Sequence, residues 1–157
     1  MPSKPDSRFR VERLNRVEET QLAPLMDASW RHWQSLGYSD DPSPAHWRDY
    51  LRAEDRAQPR LHFVVLHDNQ AVAMATVTDL DFPAIPAYKP WLTNLFVLPA
   101  YRNKGLAGLL RAHRLAALRQ LGYTSVHVLA APGTRGLHER AGFAMLDEEL
   151  NVMQKAL

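Results

Sequence analysis

The stretch from Leu95 to Leu110 reads Leu-Phe-Val-Leu-Pro-Ala-Tyr-Arg-Asn-Lys-Gly-Leu-Ala-Gly-Leu-Leu. It opens with four apolar residues typical of a strand, and Pro99 ends that run because proline has no N–H to give to a sheet ladder. Two cations and three small residues follow, and an amphipathic segment continues to Leu121-Gly122. This order predicts a strand, a loop and then a helix whose first turn carries unpaired backbone amides. Such a helix end binds anions, and small residues let a phosphate approach the backbone.

The loop resembles the signature of the GNAT superfamily of acyl-CoA-dependent N-acetyltransferases, which is Arg/Gln-x-x-Gly-x-Gly/Ala after a strand and a proline. Here the signature stands as Arg102-Asn103-Lys104-Gly105-Leu106-Ala107. A second family segment, usually Leu-Tyr-Glu-Lys-x-Gly-Phe, stands as Leu137-His138-Glu139-Arg140-Ala141-Gly142-Phe143. Short glycine-rich patterns arise by chance, but both motifs in this order, with a helix and a strand between them, are a strong signal together. The resemblance covers about residues 90 to 150.

The resemblance implies the GNAT fold, an α/β (α+β) fold with a central twisted sheet that is mixed but mostly antiparallel. About six to seven strands are expected, with one splayed parallel pair, flanked by about four helices. Trp91–Leu98 is expected to be the central strand and Thr124–Ala130 its parallel neighbour. A helix must connect them, as parallel neighbours require.

The connecting helix shows apolar residues at three- to four-residue spacing. We predict that the stripe facing the sheet consists of Leu106, Leu110, Ala117 and Leu121. Leu115 and Leu118 are expected on the other side, either as exposed leucines or as a contact with a partner subunit.

The first half of the chain fits the family only loosely, but its patterns are readable. Phe9 and Val11 alternate with polar residues and predict an edge strand, which Leu14 would extend. Helical spacing predicts one helix through residues 22–29 and a second around Pro44–Ala57. Two apolar runs, Leu61–His67 and Ala71–Leu80, flank three turn residues and predict a hairpin. Near the C-terminus, Leu150 and Val152 are expected in one of the final strands.

Length and composition set the bounds of the protein. The 157 residues predict one domain, residues 8–157, after a flexible tail at residues 1–7. No apolar run approaches the roughly 20 residues that span a bilayer, and the first residues lack the apolar core of a signal peptide. The absence of cysteine excludes disulfides and thiolate chemistry and fits a reducing compartment. We therefore expect a cytoplasmic protein with no membrane partner.

In the family, the loop amides hold the pyrophosphate of coenzyme A, and the central strand pairs with the pantetheine arm. The resemblance thus implies acetyl-CoA as co-substrate. The backbone amides of the loop are expected to contribute more to pyrophosphate binding than its side chains. The predicted cofactor-binding residues are Phe96, Val97, Arg102, Asn103, Lys104, Gly105, Leu106, Ala107 and Gly108.

No metal is expected. His62 and His67 lie five residues apart on one predicted strand, so their side chains point to opposite faces and cannot chelate one ion.

Amide formation needs a neutral amine, a hydrogen-bond donor to the thioester oxygen and a proton for the leaving thiolate. The oxygen donor is usually a backbone N–H of the splayed strand, here Phe96 or Val97. No hydroxyl of this sequence lies in a nucleophile motif. Direct attack by the amine within a ternary complex is therefore the simplest mechanism.

The sequence departs from the family at two catalytic positions. His138 stands where the family has a tyrosine thought to protonate the leaving thiolate. It either replaces that tyrosine as general acid or only hydrogen-bonds or packs near the cofactor. Thr93 and Asn94 stand where many relatives carry carboxylates that act as bases through water. Asn94 is thus a candidate for positioning water or the amine, and proton removal falls to a water chain, to His127 or to bulk solvent.

Four residues are candidates for contact with the acceptor amine. Trp30 and Trp33 lie in an aromatic stretch of the early helical region, which in the family forms part of the acceptor pocket. Asp81 and Tyr88 lie in a proline-rich loop beside the central strand. The alternatives are that the tryptophans only pack the helix onto the sheet and that the loop is only solvated. The acceptor itself, a small-molecule or peptide amine, is not readable from these residues, and homodimers are common in the family.

Two other classes of function compete with the enzyme. A non-catalytic acyl-CoA-binding or regulatory domain would explain the missing tyrosine and carboxylates. A nucleic-acid-binding module is motivated by the isoelectric point near 9.1. The net charge is only +2 and the basic residues are spread along the chain, so no nucleic-acid partner is expected.

Overall fold

The computed structural model describes residues 8–37, 42–53, 60–79 and 85–157. Seven strands form one sheet: β1 (Phe9–Arg13), β2 (Arg60–His67), β3 (Gln70–Thr78), β4 (Trp91–Val97), β5 (Ser125–Leu129), β6 (Ala144–Asp147) and β7 (Val152–Ala156). Their order across the sheet is β1-β2-β3-β4-β5-β7-β6. Every neighbouring pair is antiparallel except β4 and β5, which are parallel. The predicted mixed, mostly antiparallel sheet is confirmed.

Four α-helices flank the sheet in the described ranges: α1 (Glu19–Ser35), α2 (Pro44–Arg52), α3 (Leu106–Gln120) and α4 (Arg135–Arg140). Short 3-10 turns lie at Leu14–Arg16 and Pro99–Tyr101. The side chain of Glu18 accepts the backbone N–H of Gln21, and the side chain of Gln21 accepts that of Glu18, so a reciprocal capping box begins α1.

The hairpin of β2 and β3 separates two apolar cores. Alternate residues of β2 face opposite sides: Phe63 and Val65 join the core under α3, whereas Val64 and Leu66 join the core under α1 and α2. Both faces of the hairpin are therefore buried, which explains its nearly continuous apolar sequence. The predicted hairpin is confirmed.

The parallel pair is joined at one end and open at the other. Trp91 and His127 are the paired residues of β4 and β5, and the His127 N–H donates to Pro90 O at 2.9 Å. On its other side β4 pairs with β3, and that register shifts beyond Thr93, where Asn94 adopts a left-handed φ of 53°. The carboxyl-terminal part of β4 therefore bulges beyond the one residue pair that joins it to β5 in the described ladder.

The buried side of α3 differs from the predicted stripe. Leu115 and Leu118 are buried at 6% and 0% exposure, whereas Leu121 is 52% exposed. The buried row follows an i, i+4 spacing through Leu110 and Arg114 to Leu118, which is a ridge inclined to the helix axis. The prediction for Leu115, Leu118 and Leu121 is wrong: the inclined ridge carries Leu115 and Leu118 into the core, and Leu121 lies after the last helical residue, Gln120.

The C-terminal strand also begins later than predicted. Leu150 lies in the turn between β6 and β7, where its N–H donates to Asp147 Oδ1 at 3.0 Å. The Leu150 side chain is 45% exposed, so this leucine is not a buried position of a strand.

Several predictions fall on residues outside the described ranges. These are the tail at residues 1–7, the end of the second predicted helix beyond residue 53, and Asp81 in the proline-rich loop. Within the described ranges, no helix combines the length and the apolar composition that a membrane crossing requires.

Candidate active site

A cleft of about 420 Å³ lies between the carboxyl-terminal half of β4, the start of α3 and the end of α1. Its walls come from three segments that are far apart in sequence. The lining residues are His32, Leu95, Phe96, Val97, Tyr101, Arg102, Asn103, Gly105, Leu106 and Ala107. The cleft therefore joins the predicted cofactor loop to the open side of the parallel pair.

The amino-terminal end of α3 forms the floor of this cleft. Gly105 is the N-cap residue with a left-handed φ of 81°, and no described side chain caps this end of the helix. The first backbone N–H groups of α3 thus have no intrahelical acceptor. Arg102 and Lys104 add two exposed cations beside them. Uncapped amides, the positive end of the helix dipole and two cations fit a diphosphate group.

The carboxyl end of β4 forms one wall. Arg102 folds back over this wall: its Nε donates to Val97 O at 3.0 Å, and its guanidinium lies 5.9 Å from the Phe96 ring centroid. The Leu98 N–H donates in the opposite direction, to Val72 O of β3 at 2.9 Å. Because successive amides alternate sides along an extended chain, the Val97 N–H points toward the open side of β4.

Seven of the nine predicted cofactor-binding residues line the cleft, and the exceptions are Lys104 and Gly108. Lys104 lies exposed on the loop, and Gly108 lies one turn into α3. The sequence analysis missed His32, Leu95 and Tyr101. Leu95 and Tyr101 lie in the stretch Leu95–Leu110, so their closeness to the loop motif could have identified them as lining residues. His32 reaches the cleft only because α1 packs against the sheet.

The aromatic stretch of α1 meets the cleft through its histidine. The His32 ring lies 5.1 Å from that of Phe96 and 4.8 Å from that of Trp33. Burial and then the nearby Arg102 cation lower the pKa of His32. Trp30 and Trp33 are half-buried and pack against the core under α1, and neither lines the cleft. This packing agrees with the alternative that these tryptophans hold the helix on the sheet.

Asn94 lies at the bulge of β4 and is tied to the neighbouring strands. Its Nδ2 donates to Thr76 Oγ1 at 3.4 Å, and the same oxygen lies 2.8 Å from Nδ1 of His62 on β2. His62 is fully buried, and burial together with nearby arginines lowers its pKa to about 3. The predicted candidate for positioning water or the amine is thus held by two buried polar groups that carry no charge at neutral pH.

His127 is held by hydrogen bonds at both ring nitrogens. Its Nδ1 donates to Pro90 O at 3.0 Å, and its Nε2 lies 3.3 Å from Nε2 of Gln154, which can only donate. Burial lowers the pKa of His127, and the hydrogen bond to Pro90 opposes that shift. These contacts make His127 a structural histidine that fixes the closed end of the parallel pair.

Tyr88 packs beside the same end of the sheet. Its ring lies 5.6 Å from that of His127, and its hydroxyl donates to Asp147 Oδ2 at 2.9 Å. This hydrogen bond is the main reason why the pKa of Tyr88 is raised. Tyr88 thus ties the segment before β4 to the end of β6 and does not line the cleft.

His138 lies on α4 beside the core residue Phe143. Its ring is half-buried and meets Phe143 edge-on at 5.9 Å. Burial lowers the pKa of His138, and two cations on α3, Arg111 and then Arg114, lower it further. The neutral imidazole is therefore favoured at neutral pH, which weakens the role of an imidazolium acid but leaves a hydrogen-bonding role.

Arg114 is a buried cation that the sequence did not indicate, because an arginine on a helix is ordinarily exposed. It is 3% exposed, and its Nη1 donates to Thr76 O at 3.3 Å. Burial lowers the pKa of Arg114 to about 9, with a further contribution from Arg111. The hydrogen bond attaches α3 to β3 directly opposite the bulge of β4.

The described residues contain no group of three His, Cys, Asp or Glu side chains placed to hold a metal ion. The absence of a metal, the homodimer, the absence of a nucleic-acid partner, the cytoplasmic location and the domain limits stay predictions.

Comparison with known proteins places these features in a family. The family model described as Acetyltransferase (GNAT) family matches residues 22–143. No curated protein sequence matches the chain significantly.

Solved structures show the same fold at low sequence identity. N-acetylglutamate synthase from Neisseria gonorrhoeae, complexed with coenzyme A and N-acetyl-glutamate, is similar with a TM-score of 0.69 and 15% identity over 97% of this chain. This chain spans only 36% of the length of that synthase.

Two structures of matching length are similar as well. PaiA N-acetyltransferase from Thermoplasma acidophilum, in complex with coenzyme A, has a TM-score of 0.66 and 14% identity, covering 95% of this chain and 99% of its own. A GNAT family acetyltransferase from Brucella melitensis, in complex with acetyl-CoA, has a TM-score of 0.63 and 21% identity, covering 95% and 88%. With a family model matching well over half of its length, and with this fold, the chain belongs to the acetyltransferase (GNAT) family.

Proposed function

We propose that this protein is an N-acetyltransferase that moves an acetyl group from acetyl-CoA to the primary amine of a small molecule or peptide. One observation carries the proposal: the uncapped start of α3 at left-handed Gly105 lies in the same cleft as the open side of β4. A diphosphate and an extended acyl-bearing arm need such a pair of sites side by side. The similar structures with bound coenzyme A or acetyl-CoA support this assignment.

The residues that would hold acetyl-CoA follow from the cleft. The backbone amides of residues 103–107 and the cations Arg102 and Lys104 would bind the diphosphate. The open edge of β4 at Phe96 and Val97 would bind the arm by backbone hydrogen bonds. When bound, the thioester supplies an activated acetyl group.

Three groups of this chain would then assist the transfer, and two cations would support the third. The Val97 N–H, on the open side of β4, is a donor to the thioester oxygen as charge develops there. Asn94 positions the amine or a water at the bulge. His138, with a lowered pKa, hydrogen-bonds near the departing thiolate, and the cations Arg111 and Arg114 favour the negative charge on sulfur. The amine attacks directly in a ternary complex.

A second candidate function is a non-catalytic acyl-CoA-binding or regulatory domain. The observation that favours it is His138 with Asn94 at the positions where relatives carry a tyrosine and carboxylates. The two functions differ in one measurable property, because only the enzyme releases free thiol from acetyl-CoA in the presence of an amine.

The decisive experiment compares two glycine variants by calorimetric titration with acetyl-CoA and coenzyme A. Gly105→Val puts a β-branched residue at a left-handed position inside the cleft, so cofactor binding should be lost. Gly122→Val introduces the same strain at the other end of α3, where φ is 88° and nothing lies within 4 Å, and it should bind like wild type.

Circular dichroism checks that both glycine variants are folded. Near wild-type affinity in Gly105→Val would show that the cleft is not the cofactor site. Cofactor binding by the wild type without thiol release over a broad panel of amines would favour the non-catalytic domain instead.

A further inference from the structure

The cleft between β4, α3 and α1 is lined by one side chain that acts as a base near neutral pH, and that side chain is His32. The other polar side chains among the described lining residues are Tyr101, Arg102 and Asn103. A phenol, a guanidinium and a carboxamide do not take up a proton at neutral pH. Any proton that leaves a substrate inside this cleft therefore goes to His32 or to water.

The two faces of β4 are covered differently. On one face Leu92 belongs to the core under α3, together with Leu106 and Leu110. On the other face Phe96 belongs to the core under α1 and α2, and the His32 ring lies against it with 5.1 Å between the ring centroids. The α3 face is filled by the core, so room for an acceptor beside β4 lies on the α1 side, next to His32.

The His32 ring is held in place by aromatic contacts. It meets Trp33 edge-on at 4.8 Å and Phe96 at a tilt of 45°, and its backbone oxygen accepts the Ser35 hydroxyl at 2.7 Å. In the part of the chain that the structure describes, no hydrogen bond occupies the ring nitrogens of His32. These nitrogens are therefore available to a substrate proton.

Arg102 is the described charged group that acts on the His32 ring. Burial and then this cation lower the pKa of His32, because both disfavour an imidazolium. From β4 the ring faces the uncharged Phe96, and on α1 the neighbouring Arg31 pairs with Asp27 at 3.1 Å. His32 is therefore neutral at pH 7, which is the form that accepts a proton.

We propose that His32 is the general base of the reaction and takes from the acceptor nitrogen the proton that this nitrogen loses when the new amide bond forms. This inference rests on the proposed acetyl transfer. His127, the histidine that the sequence suggested for proton removal, has a partner at each ring nitrogen and lies at the closed end of the parallel pair.

The proton and electron balance of this step is complete. The lone pair of the neutral amine forms the C–N bond to the thioester carbon, and the positively charged nitrogen then gives one proton to His32. The C–S bond breaks with its electron pair leaving on sulfur, and the thiolate gains a proton from solvent. Because Arg102 repels the imidazolium, His32 returns its proton to water and is ready for the next turnover.

The first test is the pH dependence of kcat/KM with a peptide whose only amine is an α-amine, with a pKa of about 7.7–8.0. Protonation of this amine alone gives log kcat/KM a slope of about one at lower pH. His32 acts as a base only when neutral, so its contribution is present above its lowered pKa and is lost below it. The wild-type slope should therefore increase to about two at a pH below about 6.5. A slope of one throughout would overturn the inference.

The second test removes the base and keeps a polar side chain. His32→Gln should lower kcat at saturating acetyl-CoA by about 100-fold, and its slope should stay near one over the whole acid range. The matched control is His113→Gln, an exposed histidine on α3, which should keep the wild-type rate and slope. A slope of two that survives in His32→Gln would overturn the role of His32.

The third test supplies the base from solution. His32→Ala opens space in the cleft, and added imidazole should raise the formation of acetylated peptide by this variant about tenfold. Pyrazole, a ring of the same size but a far weaker base, should give no such rescue. Neither additive should change the rate of His113→Ala. Equal rescue by the two rings would show that the His32 ring only fills space.

The outcomes separate this inference from the function on which it rests. Circular dichroism and calorimetric titration should show folded His32 variants whose Kd for coenzyme A stays within about threefold of wild type. Coenzyme A binding by the wild type without transfer to any amine would overturn the proposed enzyme. Transfer by His32→Gln with unchanged kcat would leave the enzyme in place and overturn only the role of His32.

Discussion

At the scale of single residues, burial decides what each histidine can do. His62 is fully enclosed and His127 has a partner at each ring nitrogen, and these contacts favour a structural role for both. His138 is only half-buried and lies near the cations of α3, and burial and those charges both favour its neutral form. The sequence shows a histidine at position 138, but the protonation state of His138 depends on the arginines of α3.

The protonation of His138 can be measured in the free protein. Because burial disfavours an imidazolium at His138 and Arg111 and Arg114 repel it, its NMR titration midpoint should lie below the ordinary value of about 6.5. Arg111→Gln removes one repelling charge and should raise the midpoint. Arg119→Gln, at the far end of α3, is the control and should leave it unchanged. A midpoint at or above the ordinary value in wild type would contradict the electrostatic account.

At the scale of elements, α3 carries both the proposed cofactor site and much of the core. Its start is exposed at Gly105, and its buried row runs from Leu106 to Leu118. Arg114 interrupts that row with a cation that bonds to Thr76 O. One helix thus connects the anion-binding loop to the strand beside the bulge of β4.

The corrected orientation of α3 gives a stability prediction. Leu118→Ala empties a fully buried position and should lower the free energy of unfolding by about 2–5 kcal/mol. Leu121→Ala changes a residue that is 52% exposed, so its effect should stay within about 0.5 kcal/mol. Urea unfolding of both variants measures the difference. A larger loss for Leu121→Ala would support the stripe predicted from the sequence instead.

At the scale of the whole molecule, the sheet consists of two parts joined at one edge. Strands β1 to β4 form one part, and β5, β7 and β6 form the other. They meet in the described ladder at the Trp91–His127 pair. A ligand bound along the open side of β4 would add contacts between the two parts.

This architecture predicts that coenzyme A stabilises the fold. At a free concentration of about 100 times Kd, binding to the native state should add about 2.7 kcal/mol. For a chain of this size each kcal/mol raises Tm by about 2–4 °C, so a thermal scan should show a shift of several degrees. Gly105→Val should show no shift under the same conditions. The absence of a shift in wild type at saturating coenzyme A would contradict the cofactor assignment.

Much of this molecule could be predicted because the signals are local. The strand–loop–helix order at Leu95–Leu110, the hairpin and the parallel crossover depend on periodicity, proline and glycine over short windows. Seven of the nine residues predicted to bind the cofactor line one cleft for the same reason, since most of them lie in one continuous segment. The details of α3 could not be predicted, because an arginine in a buried row looks exposed in sequence.

The sequence by itself determined the family, the sheet with its parallel pair and the loop that begins α3, since these depend on contiguous motifs and connection rules. Only the tertiary structure decided which groups meet. His32 from α1 reaches the cleft, Thr76 joins Asn94 to His62, and Arg114 lies buried behind them. The physical reason is that burial, charge and hydrogen-bond partners arise between segments distant in the chain, and no local pattern records which segments will pack together.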